Sequence, residues 1–213
     1  MPSWNIHLEA GERLAKKLKL PTPKRSEFLL GCLLPDINNG YINKVGIEKS
    51  HEETHYTFNN KSSLNFYADY QKEIDEKEPL FLGYLFHLYT DGYFNYDFYR
   101  KIKRAKIGQG LTREEKREIK HHDFWIYDTN FHHRLNLKDK TETRRLAKLA
   151  NQIASTEITA EDLEDVERIM TDKKFHLAMQ GEPYLFYSKK DLDQLLDDMI
   201  QSFSKDYLGA KHA

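Results

Sequence analysis

Apolar positions recur along this chain with the three-to-four-residue spacing of helices, and no stretch alternates in the manner of a half-buried strand. Ser3 reads as an N-cap, after which Leu8, Leu14, Ala15 and Leu18 follow helical spacing until Pro21 stops the helix. Ser26 opens a second run, EFLLGCLLPDI, which ends at Pro35 because the residue before a proline is pushed out of helical geometry. Ser62 or Ser63 caps a helix with Leu64, Phe66, Tyr67 and Tyr70, and Pro79 then opens the most apolar stretch, FLGYLFHLYTDGYFN from Phe81 to Asn95. The basic KIKRAKIGQG that follows reads as a loop. Thr112 and Glu115 form a capping box for a helix that would carry His121, His122, Asp128, His132 and His133, with Trp125 and Phe131 packed inward. Glu142 to Ile153, Ala160 to Gln180 and Lys189 to Tyr207 read as scaffold helices with caps at Thr141, Thr159 and Ser188. The pattern predicts an all-α fold, a single-domain helical bundle of roughly seven to nine helices spanning residues 1–213.

The central stretch changes the picture, because His87 and Asp91 interrupt it. Four residues apart on a helix, an imidazole and a carboxylate share one face. Leu82, Leu85, Phe86, Leu88 and Tyr89 cover the rest, so the carboxylate is predicted to be buried and to need a cation, a donor network or a metal. A simple His–Asp hydrogen bond inside the core is the plain alternative.

Composition narrows the chemistry. The chain has 213 residues with 39% apolar content, enough for one core. Its 33 basic and 34 acidic side chains give no field that would gather nucleic acid, so no stable nucleic-acid partner is expected. One cysteine, Cys32, excludes an internal disulfide framework, and with ten His any metal is expected to be held by nitrogen and oxygen, which suits zinc, manganese or iron. Met1 to Leu20 carries Glu9, Glu12, Arg13, Lys16 and Lys17 where a secretory signal needs an apolar core, so the expected compartment is the cytoplasm. No apolar run reaches membrane-spanning length.

Further ligand-type residues flank the centre. Asp36 follows Pro35, where a buried helix is predicted to turn outward at the lip of a core. SHEETHYTF places His51 and His55 in the H-E-x-x-H pattern of zinc proteases, with Glu52 in the place of their general base. The pattern follows a Gly/Asn loop instead of lying within a long apolar helix, which weakens that reading. Asp128 and His132, four apart, are the best-placed pair of the second His-rich patch. His176 and His212 have no ligand-type neighbours and read as structural or exposed.

Taken together, WNIHLEAGERL, LGCLLPDIN, a loop ending in ETHY and LGYLFHLYTDGYFN resemble the zinc-dependent phospholipase C family and related phosphodiesterases over roughly the first hundred residues. The resemblance implies that His7, Asp36, His55, His87 and Asp91 gather around one or two zinc ions, with Asp36 and Asp91 at the catalytic centre. His55 fits the family pattern better than His51, because an aromatic, Tyr56, follows it. Secreted members bind one ion through an N-terminal Trp, whereas Trp4 is internal here. No H-x-x-x-D/E follows Asp91, and His122, Asp128 and His132 are the residues that could stand in its place. The implied activity is metal-dependent hydrolysis of a small phosphoester, a phosphodiester or a phospholipid-type molecule. Of the aromatics near the site, Tyr84, Tyr89, Tyr93 and Phe94, most are expected in the core and the rest on the wall of a pocket. Two other readings remain: an HD-type phosphohydrolase using the adjacent His122 and Asp123, and a non-catalytic helical protein with a structural metal site.

Overall fold

A computed structural model of the chain describes residues 2–57, 62–133, 135, 137, 139–171 and 181–209. Among them there are eleven α-helices and no strand: α1 (Trp4–Lys17), α2 (Thr22–Gly31), α3 (Leu34–Asn38), α4 (His51–His55), α5 (Ser62–Asp69), α6 (Gln71–Asp75), α7 (Pro79–Arg104), α8 (Arg113–Asp128), α9 (Lys140–Ala150), α10 (Ala160–Met170) and α11 (Lys189–Tyr207). The all-α prediction holds. The count exceeds nine because α3, α4 and α6 are single turns of five residues, too short to carry an apolar period of their own.

The axis of the molecule is α7, whose 26 residues span about 39 Å. From Leu80 to Leu88 every residue is buried, so neighbours cover the helix on all sides. The nearest neighbour is α2. A methyl group on Gly31 would collide with the Leu80 carbonyl, and one on Gly83 with the Phe28 carbonyl, so both glycines are needed for backbone-to-backbone contact. On other sides α1 lays His7 flat on His87, and α11 sets Phe203 edge-on to Phe86 with ring centres 4.8 Å apart. The buried apolar side chains of all these helices form one continuous cluster. No helix is long and apolar enough to cross a membrane among the described residues.

Several boundaries differ from the sequence reading for identifiable reasons. The helix after Pro21 begins at Thr22, with proline in its first turn, and ends at Gly31. Pro35 does not merely stop that helix, because it sits in the first turn of α3, where its missing N–H costs nothing. Asp36 therefore lies inside a buried turn at 0% exposure, not at an outward-facing lip. Helix α7 continues past Asn95 through Lys101, Lys103 and Arg104, where the sequence pattern predicts a loop; cations in a last turn complement the helix dipole. Helix α8 ends at Asp128, so His132 and His133 are not on it and the Asp128–His132 spacing has no helical meaning. Asp139, not Thr141, caps α9 by accepting from the Glu142 amide. Trp125 is half exposed instead of packed inward. The predicted stretch to Gln180 beyond Thr171, and both His176 and His212, lie outside the described residues.

Candidate metal centre

Four helices deliver five buried ligand-type side chains to one place: His7 from α1, Asp36 from α3, His55 from α4, and His87 and Asp91 from successive turns of α7. Nε2 of His55 lies 3.3 Å from Nε2 of His87, 3.5 Å from Oδ1 of Asp36 and 3.5 Å from Oδ2 of Asp91. Nε2 of His87 lies 4.0 Å from Oδ1 of Asp36 and 3.6 Å from Oδ2 of Asp91. Ligands about 2.0–2.2 Å from a shared ion stand about 3.3–3.6 Å apart at the corners of a tetrahedron. The observed separations fall at and slightly above that range.

Hydrogen bonds on the far sides of the rings decide what these four atoms are. Nδ1–H of His87 donates to the Cys32 carbonyl at 2.7 Å, which leaves Nε2 with its lone pair. The Thr54 hydroxyl gives its proton to the Ser50 carbonyl at 3.2 Å and so accepts from Nδ1–H of His55 at 2.9 Å. Nε2 of His55 is thereby an acceptor too. Both oxygens of Asp36 and both of Asp91 are buried without a hydrogen-bond partner, as are both ring nitrogens of His7. The four shell atoms of His55, His87, Asp36 and Asp91 thus converge as acceptors with no donor among the four, an arrangement that is costly unless a cation lies between them.

The electrostatics point the same way. Burial, reinforced by His7, pushes the His87 imidazole down to about 3, so it stays neutral and able to ligate at ordinary pH. Burial alone would raise Asp36 and Asp91, but the surrounding imidazoles reverse this and hold both carboxyls below their usual range. For His55 burial works against protonation, yet Asp36 and Asp91 outweigh it and lift the ring above its ordinary value. In the absence of a metal ion, a proton on His55 is the cation this shell would draw in.

His7 stands beside the four. Its Nε2 is 3.4 Å from Oδ1 of Asp91, and its ring is stacked on His87 at 3.9 Å. His7, Asp36 and His87 form a second group of close ligand atoms that overlaps the first through His87, but the stacked rings of His7 and His87 do not aim at one ion, so His7 reaches the centre through Asp91. Above the shell, a cleft of about 490 Å³ opens beside His51, His55 and Asp91, with Leu88, Tyr89 and Tyr93 on its wall. Tyr84 and Phe94 are fully buried and belong to the core.

The other sequence candidates are elsewhere. His51 is exposed at the cleft, its ring stacked on His55 at 4.0 Å and nearly parallel, at 5°. Imidazole lone pairs lie in the ring plane, so two parallel stacked rings do not aim at one ion, and the protease arrangement is not formed. Glu52 faces solvent, and Glu53 is spent on the capping box with Ser50. Asp123 is fully buried and accepts from the amides of Leu185, Phe186 and Tyr187 at 2.7–2.9 Å, so its carboxylate anchors a loop. His122 reaches only Asp123, at 3.4 Å, and joins no ligand group among the described residues. Asp128 accepts from Ser3 and Asn5 and ties the start of α1 to the end of α8. His133 pairs with Glu9 at 2.7 Å. The outer partners that orient the shell, the Cys32 carbonyl and Thr54, were not read from the sequence. A backbone carbonyl carries no sequence signal, and Thr54 is marked only by its place before His55.

The class defined by these features is an all-helical protein with a buried two-His, two-Asp candidate metal centre at the floor of a cleft. No protein-family profile, curated protein or solved structure matches the chain.

Proposed function

We propose that this chain is a metal-dependent phosphoric ester hydrolase. The observation that carries the reading is the convergence of four acceptor atoms from His55, His87, Asp36 and Asp91 with no donor among them. Two imidazoles and two carboxylates form a borderline-hard set that suits zinc, with manganese or iron as further fits. His7, reaching Asp91, would help to hold a second ion. A divalent cation in this set supplies Lewis acidity toward a phosphoryl oxygen and an activated water for attack at phosphorus. The two carboxylates offset its charge, and the bonds from His87 to Cys32 and from His55 to Thr54 fix the ligating tautomers. Asp91 and His55 line the cleft, which favours a catalytic site over a closed structural one. Tyr89 and Tyr93 on the wall suit the apolar or planar part of a small phosphoester.

Two measurements test this. Elemental analysis of protein purified without chelator should find about one or two zinc, manganese or iron ions per chain. A panel of small phosphomonoesters and phosphodiesters, assayed with zinc or manganese, should show turnover that a chelator removes. Less than about 0.2 ions per chain would remove the basis of the reading. Metal-replete protein that cleaves none of the panel would favour a structural metal site, and cleavage of phospholipid vesicles alone would move the substrate to lipid.

A further inference from the structure

One polar residue of the cleft is held in a way that metal ligation does not explain. Asn95 follows Asp91 by four residues and His87 by eight, so the three share a face of α7, and Asn95 lines the cleft with Asp91. Its Oδ1 accepts from Nζ of Lys120 at 2.7 Å. Lysine can only donate, so this bond settles which end of the amide is oxygen and which is nitrogen. Nδ2 is left as the donor end, with no partner among the described residues. Lys120 is 5% exposed on α8, with its ammonium 5.3 Å from the centre of the Tyr99 ring. A buried cation is costly to keep, and a bond from it both fixes the amide and strengthens its N–H groups as donors.

We propose that Asn95 touches the substrate, donating from Nδ2 to a non-bridging oxygen of the phosphoryl group, and that Lys120 is a positioning residue that holds the amide in this orientation. This rests on the phosphoester hydrolase reading above. The shell atoms of His55, His87, Asp36 and Asp91 are all acceptors, and an anionic phosphoryl group bound over them needs a donor from the chain itself. The residue one turn beyond Asp91 supplies it.

The test compares metal-replete wild type with Asn95→Ala, Asn95→Asp, Lys120→Met and Lys120→Gln. Metal content, kcat and KM on p-nitrophenyl phosphate and bis(p-nitrophenyl) phosphate, and calorimetric binding of inorganic phosphate are measured for each. Asn95→Ala should keep its metal, lose about 100-fold in kcat/KM and bind phosphate about tenfold more weakly. Asn95→Asp is the decisive variant. It keeps an acceptor for Lys120, and so keeps the fold, but turns a carboxylate toward the phosphoryl oxygens. It should therefore be worse than Asn95→Ala, whereas a merely structural Asn95 predicts the reverse order. Lys120→Gln, which retains a donor for Oδ1, should keep more activity than Lys120→Met. Asn95→Asp equal to or better than Asn95→Ala, or both within about twofold of wild type with unchanged phosphate affinity, would overturn the proposal while the hydrolase reading stood. A wild type without metal or turnover would overturn both.

Discussion

Asp91 is the residue on which the centre turns, because it contacts His7 through one oxygen and His55 and His87 through the other. Replacing it with Asn keeps the shape but removes the charge that offsets a cation, and puts an N–H₂ among acceptors. Asp91→Asn should abolish metal retention and any phosphoesterase activity, and elemental analysis with unchanged stoichiometry would refute its role as ligand. Glu52 is the control from the neighbouring turn. Since it faces solvent on α4, Glu52→Ala should leave activity within about twofold, and a loss beyond about a hundredfold with the fold intact would revive the protease reading.

The helix pair α2 and α7 does for the centre what no single residue can. Their glycine-mediated contact brings the Cys32 carbonyl to His87, so ring orientation depends on how closely two backbones approach. Gly83→Ala forces them apart and should cost on the order of 3 kcal/mol, seen as a melting point about 6–12 °C lower, together with weakened metal retention. A melting point within about 2 °C of wild type would mean that the contact is looser than described. Asp123 works at the same scale, tying residues 185–187 to α8 through three amides. Asp123→Asn should destabilise by about 2 kcal/mol and leave metal content unchanged. Loss of metal in that variant would instead support the HD-type reading of His122 and Asp123.

For the whole molecule, ligand-type side chains from α1, α3, α4 and α7 converge, so an ion bound between them would be linked to the fold. Anything that binds the folded state alone stabilises it, by about 2.7 kcal/mol at a hundred times its Kd. Chelation should therefore lower the melting point by about 5–11 °C, and added zinc should restore it. A melting point indifferent to both would show that the centre is satisfied without a cation. The ionised carboxylates set the acid limit as well. Burial would raise Asp97, but Lys101, Arg100 and Tyr187 hold it below its usual range. Its contribution is complete above the unfolded carboxyl pKa of about 3.9 and is lost as pH falls through the lower folded value.

The helical class of this chain, the capping box at Thr112, the caps at Thr159 and Ser188, and the pairing of His87 with Asp91 on one face were legible from sequence alone, because each depends on neighbours within a turn or two. The extent of α7 was not, since a run of cations reads as loop until a helix end is there for it to complement. Nor could spacing choose between His51 and His55, which lie on the same short turn; packing buries one against Asp36 and leaves the other stacked on the outside. The same holds for Asp36, Asp123 and Asp128, three carboxylates that local pattern treats alike. One is buried without a hydrogen-bond partner, one is saturated by amides and one is tied to the start of α1, and that difference exists only once segments far apart in sequence have met.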